Sequence, residues 1–124
     1  MKNTRFLPIL FLLFTPFFVQ AQDFVGSWTM TGTTPEGQTI TNTVAFKADG
    51  TMTVDFGSDG QVEVNSTYTH KGNQVSVSDT DKASDCYGKV GVYAVSVSGD
   101  TFTAVLVSDP CDARRADKMV MTRK

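Results

Sequence analysis

The chain reads as an all-β domain, an eight-stranded antiparallel up-and-down barrel, and three observations predict it. Short Val- and Thr-rich runs alternate apolar and polar residues with a period of two, the pattern of half-buried strands. Turn signals separate the runs: Pro35-Glu36-Gly37, Asp49-Gly50, Asp59-Gly60, Lys71-Gly72-Asn73 and Ser98-Gly99-Asp100. Gly, Asn and Asp at such points supply the positive φ that tight hairpins need. Nothing after the N-terminal leader reads as a helix.

Residues 1–21 read as a secretory signal peptide. Lys2 and Arg5 open it, Phe6 to Val19 is almost wholly apolar, and Val19-Gln20-Ala21 offers small residues for cleavage. A membrane anchor is the competing reading. The apolar run is interrupted by Pro8 and Pro16 and falls short of the roughly 20 residues that span a bilayer. The first cysteine is Cys86, so none stands at the cleavage site to carry a lipid. Cleavage after Ala21 leaves residues 22–124 as one domain, exported to the periplasm or the medium. The leader removes two basic residues and no acids, taking the formal charge from −2 to −4. A mildly acidic domain lacks the clustered Lys and Arg that nucleic-acid phosphates require.

The strands are expected at 24–32, 39–47, 51–57, 61–70, 73–79, 87–97, 101–108 and 117–123. In the first, Phe24, Gly26, Trp28 and Met30 share one face. Ile40, Val44 and Phe46 follow, then Met52, Val54 and Phe56, then Val62, Val64 and Tyr68, then Val75 and Val77. Tyr93, Val95 and Val97, then Phe102, Ala104 and Leu106, then Met119 and Met121 complete the apolar set. Threonines and acids lie opposite. An open sheet would leave the apolar face in water. Closing eight strands buries it and removes both edges, and a two-sheet sandwich is the structural alternative.

Two cysteines in an exported chain imply one disulfide, Cys86–Cys111. A turn centred on Ser98-Gly99 would pair Val95 with Phe102, Tyr93 with Ala104 and Cys86 with Cys111. A turn on Gly99-Asp100 would shift the cysteines two positions out of line. Closing a loop of this size stabilises the fold by about 3 kcal/mol in the chain-entropy model.

Gly26-Ser27-Trp28 resembles the G-x-W signature of lipocalin-like (calycin) barrels. Phe46, Asp49, Gly50 and Thr51 are similar to an F-x-x-D-G-T run of small bacterial lipocalin-like domains, and Asp109-Pro110-Cys111 with Arg114 to their D-P-C-x-x-R segment. The motifs occur in the family's order across residues 23 to 124. The resemblance implies that Trp28 closes one end of the barrel, with Gly26 beside it and Arg123 packed over its ring. The chain departs from the large lipocalins in being far shorter and in lacking an evident C-terminal helix.

Several constellations carry no chemistry. Asp55-Phe56-Gly57 spells a kinase triplet in a domain too small for a kinase and without a phosphate loop. Asp55 to Gly60 approaches a calcium loop, but Gly57 and Ser66 stand where two ligands belong. Asp79, Asp81 and Asp85 read as a solvated linker. His70 is the only histidine, and one imidazole with two bonded cysteines makes no transition-metal site. No catalytic residues, metal or cofactor are expected. Asn42, Ser66, Tyr68 and Tyr93 share the parity of core residues yet carry hydrogen-bonding groups. Each must find a neighbour, a water or a ligand, because an unpaired buried polar group costs about 1 to 3 kcal/mol. With His70, expected near the barrel mouth, they are the candidate lining of a small pocket away from Trp28. The bulky inward residues would fill much of the interior, whereas Gly91, Ala104 and four methionines leave room for a guest.

The function expected, by family analogy, is binding of a small apolar or amphipathic ligand by a monomer without catalysis. The alternative is a protein-binding module such as a small periplasmic protease-inhibitor barrel, acting through its N-terminal residues or the loop at 79–86.

Overall fold

The computed structural model describes residues 20–124. The leader expected over residues 1–21 lies, through residue 19, outside the described residues. Eight strands follow a single helical turn, α1 (Ala21–Phe24): β1 (Gly26–Thr33), β2 (Thr39–Phe46), β3 (Thr51–Asp55), β4 (Val64–Lys71), β5 (Gln74–Asp79), β6 (Val90–Ser98), β7 (Thr101–Ser108) and β8 (Lys118–Arg123). Each strand pairs antiparallel with the next, and β8 returns to β1 through Trp28↔Arg123 and Thr29↔Thr122. The sheet is therefore a closed up-and-down barrel. Among the described residues no helix is long and apolar enough to cross a membrane.

Because the strands alternate in direction, the two ends of the barrel are built from different connections. The tight turns at 46–51, 71–74 and 98–101 gather at one end with α1 and the C-terminus. Longer loops at 33–39, 55–64, 79–90 and 108–118 gather at the other.

The tight-turn end is plugged by aromatic rings. Phe24, Trp28 and Phe102 are almost wholly buried, with Phe46 and Tyr68 beside them. Phe24 meets Phe46, Tyr68 and His70 edge-on at 5.4, 5.7 and 5.1 Å, and Phe46 stacks on Phe102 at 5.5 Å. Such pairings give about 0.5–1.5 kcal/mol each beyond the area they bury. The Trp28 indole N–H donates to the Phe24 carbonyl at 2.8 Å, which satisfies the indole nitrogen inside the plug. Arg123 lies over the Trp28 ring, 4.2 Å from its centroid, and donates to the Asp23 carbonyl. Gly26 takes a φ of +131°, and a Cβ there would stand 3.4 Å from the Arg123 guanidinium. That glycine lets the chain turn from helix into strand beneath the tryptophan.

The structure corrects several expectations. Phe24 belongs to α1 rather than to the first strand, since the turn at Gly26 separates them. Phe56 leaves β3 in a short 3₁₀ turn, Phe56–Ser58, and is half-exposed, as are Ile40 and Val62. Phe56 and Val62 keep the core parity but lie between β3 and β4, and Ile40 lies in the part of β2 that extends past β3 and pairs only with β1. Thr43 is buried, its hydroxyl within 2.8 Å of the Ser58 hydroxyl, because the same turn folds over it. The β6–β7 turn uses Gly99-Asp100, with Gly99 at φ +57°. The register accordingly pairs Val95 with Ala104 and Val97 with Phe102, two positions from the alignment of a Ser98-Gly99 turn. A bulge at Val92/Tyr93 shifts it again. Cys86 and Cys111 nonetheless form a disulfide, with Cα atoms 5.4 Å apart. Both sit in loops, and the loops absorb the offset.

Trp28→Ala is expected to cost about 3–5 kcal/mol as a large core truncation, and Arg123→Ala about 1 kcal/mol through the lost cation–π contact. Urea unfolding of the domain measures both. A Trp28→Ala loss near zero would show that the plug does not hold this end together.

Candidate functional site

The plug leaves the other half of the barrel unfilled. A cavity of about 340 Å³ runs from the rings of Phe46 and Phe102 toward the long-loop end. Its wall is apolar. Valines 44, 54, 75, 77 and 95, Ala104 and the four methionines Met30, Met52, Met119 and Met121 line it. Branched Val at successive inward positions, with Ala104 among them, gives a wall too thin to meet in the middle. The methionine thioethers are the adaptable part of that wall. Toward the loops the lining changes to Phe56, Asp79, Ser84, Asp85, Ala113 and Arg114. That is the mouth.

One side of the mouth is organised by the Asp109 carboxylate, which is buried at the start of the β7–β8 loop. Its Oδ2 accepts from the Tyr93 hydroxyl at 2.7 Å and from Arg114 Nε at 2.8 Å. Its Oδ1 accepts from the Cys111 backbone N–H and from Arg114 Nη2, both at 2.9 Å. The bidentate pair leaves Arg114 only 14 % exposed. Arg114 also donates to the Lys89 carbonyl at 2.9 Å and to Asp79 Oδ1 at 3.3 Å. Asp79 accepts further from the Ser66 hydroxyl at 2.8 Å and the Ser84 hydroxyl at 2.6 Å. A single connected network thus joins β4, β5, β6 and the two loops that the Cys86–Cys111 disulfide also joins.

Gly91 on β6 makes room for that network. A Cβ at Gly91 would stand 2.5 Å from Asp109 Oδ2 and 3.1 Å from Arg114 Nε, so only glycine admits the ion pair. Burial alone would raise the Asp109 pKa. The Arg114 guanidinium, the Cys111 N–H and the Tyr93 hydroxyl outweigh it and hold the carboxyl at about 2. Burial, with the bond to Asp109, pushes Tyr93 up to about 12. The bonds to Asp109 raise Arg114 further. The pair is charged at every physiological pH.

Of the residues singled out from sequence, Tyr93 lines the cavity, and its hydroxyl is held by Asp109. Ser66 is buried and committed to Asp79, and the cavity lining does not include it. Asn42 accepts from the Gly57 N–H at 3.0 Å and borders a shallow rim depression with Ile40 and Phe56. Tyr68 and His70 sit at the plugged end, because β4 runs toward Trp28. The Tyr68 hydroxyl donates to the Lys47 carbonyl, and His70 Nε2 lies 2.7 Å from the Gly72 carbonyl. Among the described residues no buried side-chain polar atom lacks a partner. Asp55, Asp59 and Glu63 come within 4.8 Å of one another in the β3–β4 loop. Their oxygens accept backbone N–H groups of that loop, from Phe56, Asp59, Gly60 and Gln61.

The structure corrects the reading of Asp79 as part of a solvated linker: Asp79 is buried and joins Asp109 and Arg114 in one network. Two signals pointed to it. Asp79 continues the parity of Val75 and Val77 and so faces inward, and an inward acid needs a cation, which Arg114 supplies from a loop anchored by Cys111.

The Asp109 pKa links this network to acid stability. A carboxyl held at about 2 contributes stability that is fully present above its unfolded value near 4 and is lost as pH falls through about 2. The expected loss across that window is about 1–2 kcal/mol. Gly91→Ala should expel the carboxylate, costing about 3 kcal/mol at pH 7 by leaving Arg114 without its partner, and should abolish the loss below pH 4. Denaturant unfolding as a function of pH measures both, and an unchanged acid profile in Gly91→Ala would contradict the assignment.

In comparisons with known proteins, no family model, no curated protein and no solved structure matches the chain.

Proposed function

We propose that the protein is an exported carrier or receptor for a small apolar or amphipathic molecule held in the barrel, with no catalytic step. The observation that carries this reading is the apolar cavity of about 340 Å³ at the unplugged end, within the usual range of small-molecule sites. Such a volume is roughly eleven times the ~30 Å³ share of a liquid water, enough for on the order of a dozen non-hydrogen atoms. Longer ligands would reach through the mouth. Each methylene moved from water into the cavity contributes about 0.8 kcal/mol. A chain of about eight gives about 6 kcal/mol, a dissociation constant in the tens of micromolar.

The dry wall and the satisfied core support binding over chemistry. Every buried acid is committed to Arg114, a hydroxyl or a backbone N–H, so none is poised as an acid, base or nucleophile. The lipocalin-like resemblance of the Gly26-Ser27-Trp28 and Asp109-Pro110-Cys111 segments supports the same reading. The loop at 79–86 forms the lip of the cavity and is tied down by Cys86 and by the Ser84–Asp79 bond. That favours a pocket over a module that grips a protein through a free loop.

N-phenyl-1-naphthylamine, a neutral apolar fluorophore, is expected to bind saturably in the tens of micromolar with a blue-shifted emission. Ala104→Leu, which grows a side chain from the cavity wall, should weaken it about tenfold or more without lowering the unfolding midpoint. Absence of saturable binding, or unchanged binding by Ala104→Leu, would sink the cavity reading.

A further inference from the structure

The charge around the mouth restricts which amphiphile fits. We propose that the cavity, read as a binding site, selects a single-chain amphiphile with a cationic head, an amine or a quaternary ammonium, and rejects a fatty-acid carboxylate. The inference rests on the cavity-binding reading and adds the class of head group.

Two observations carry it. The first is local. Among the described residues Arg114 is the only cation lining the cavity, and it is spent. Four of its five N–H groups are directed at Asp109, Asp79 and the Lys89 carbonyl, and Asp109 alone cancels its charge through the bidentate pair. Asp79 and Asp85 then remain as negative charge at the lip. Asp85 is exposed there, and among the described residues its carboxylate makes no hydrogen bond or ion pair. Among the described residues that line the cavity, a ligand carboxylate finds no free cation and two like charges. An ammonium finds Asp85, with the half-exposed ring of Phe56 on the same rim as an aromatic face.

The second observation is global. Ten of the thirteen acidic residues lie in or at the ends of the four loops of the open end, at 33–39, 55–64, 79–90 and 108–118. Only five of the nine basic residues after the leader lie there, namely Lys82, Lys89, Arg114, Arg115 and Lys118. The open end therefore carries a net charge of −5, while the remainder, with Asp23, Asp49 and Asp100 against Lys47, Lys71, Arg123 and Lys124, carries +1. Lys124 reaches up the outer wall to Thr43, which sits opposite Asp55 in the β2–β3 ladder, so its charge offsets Asp55 and leaves the open end at a net −4. A field of one sign over a low-dielectric cleft concentrates the opposite ion and repels its own.

The test uses three ligands of one chain length at pH 7, decylamine, decanol and decanoate, each displacing N-phenyl-1-naphthylamine. Decylamine should bind about tenfold tighter than decanoate at low salt, with decanol between them. Added salt should narrow the spread. Asp85→Asn should narrow it several-fold, and Asp85 is exposed, so the variant keeps the fold. Decanoate binding as tightly as decylamine, or a spread untouched by Asp85→Asn, overturns the charge selection while leaving the cavity reading intact. If neither the fluorophore nor decanol binds, the cavity reading itself has failed.

Discussion

The aromatic plug around Trp28 decides where everything else in this barrel goes. An eight-stranded barrel has just enough interior for its own side chains or for one small guest. Here the large rings are concentrated at one end: Phe24 from the helical turn, Trp28 from β1, Phe46 from β2, Tyr68 from β4 and Phe102 from β7. They fill that end, seal it with the Trp28–Phe24 hydrogen bond and cover it with Arg123. The remaining inward positions are mostly Val, Ala and Met, which cannot span the same width. The cavity is the consequence of that division of volume.

A hollow end needs something other than core packing to keep its loops in place. The Asp109–Arg114 pair and the Cys86–Cys111 disulfide do this from two sides of the same loop. A buried ion pair is weak evidence for net stability, since desolvation offsets much of its attraction. It is, however, strongly directional. Of the four hydrogen bonds to the Asp109 carboxylate, those from Cys111 and Arg114 hold the β7–β8 loop to itself and the one from Tyr93 ties it to β6, and Gly91 is the residue that lets them meet. The same commitment removes Arg114 as a receptor for anionic ligands, so the device that shapes the mouth also sets its charge.

Much of the architecture was legible in the residue pattern, because a period of two and Gly- or Asp-based turns leave few alternatives to a meander. The eight strands and the disulfide partners could be read from local signals, and the place of Trp28 beside Arg123 from the resemblance carried by Gly26-Ser27-Trp28. The β6–β7 register could not: Ser98-Gly99 and Gly99-Asp100 both have turn chemistry, and only the three-dimensional fit of Phe102 into the plug separates them. Parity also misled at Phe56 and Val62, because alternation continues along the chain between β3 and β4, and at Ile40, where β2 extends past β3 and pairs only with β1. For Tyr68 and His70 the parity was informative but the strand direction placed them at the plugged end. The ion network was the least legible part. Asp79, Gly91 and Arg114 lie far apart in sequence, and nothing short of the closed barrel brings them together.

The walls of the hollow carry Met30, Met52, Met119 and Met121, and their methyl groups report on it directly. In protein labelled with ¹³C at the methionine methyls, titration with decanol should shift the signals of Met30, Met52, Met119 and Met121 together, with ligand-to-methyl NOEs, while the Trp28 indole N–H stays fixed. Shifts at the Trp28 indole with silent methionines, or no NOE to any of the four methyls, would mean that the interior is closed to guests.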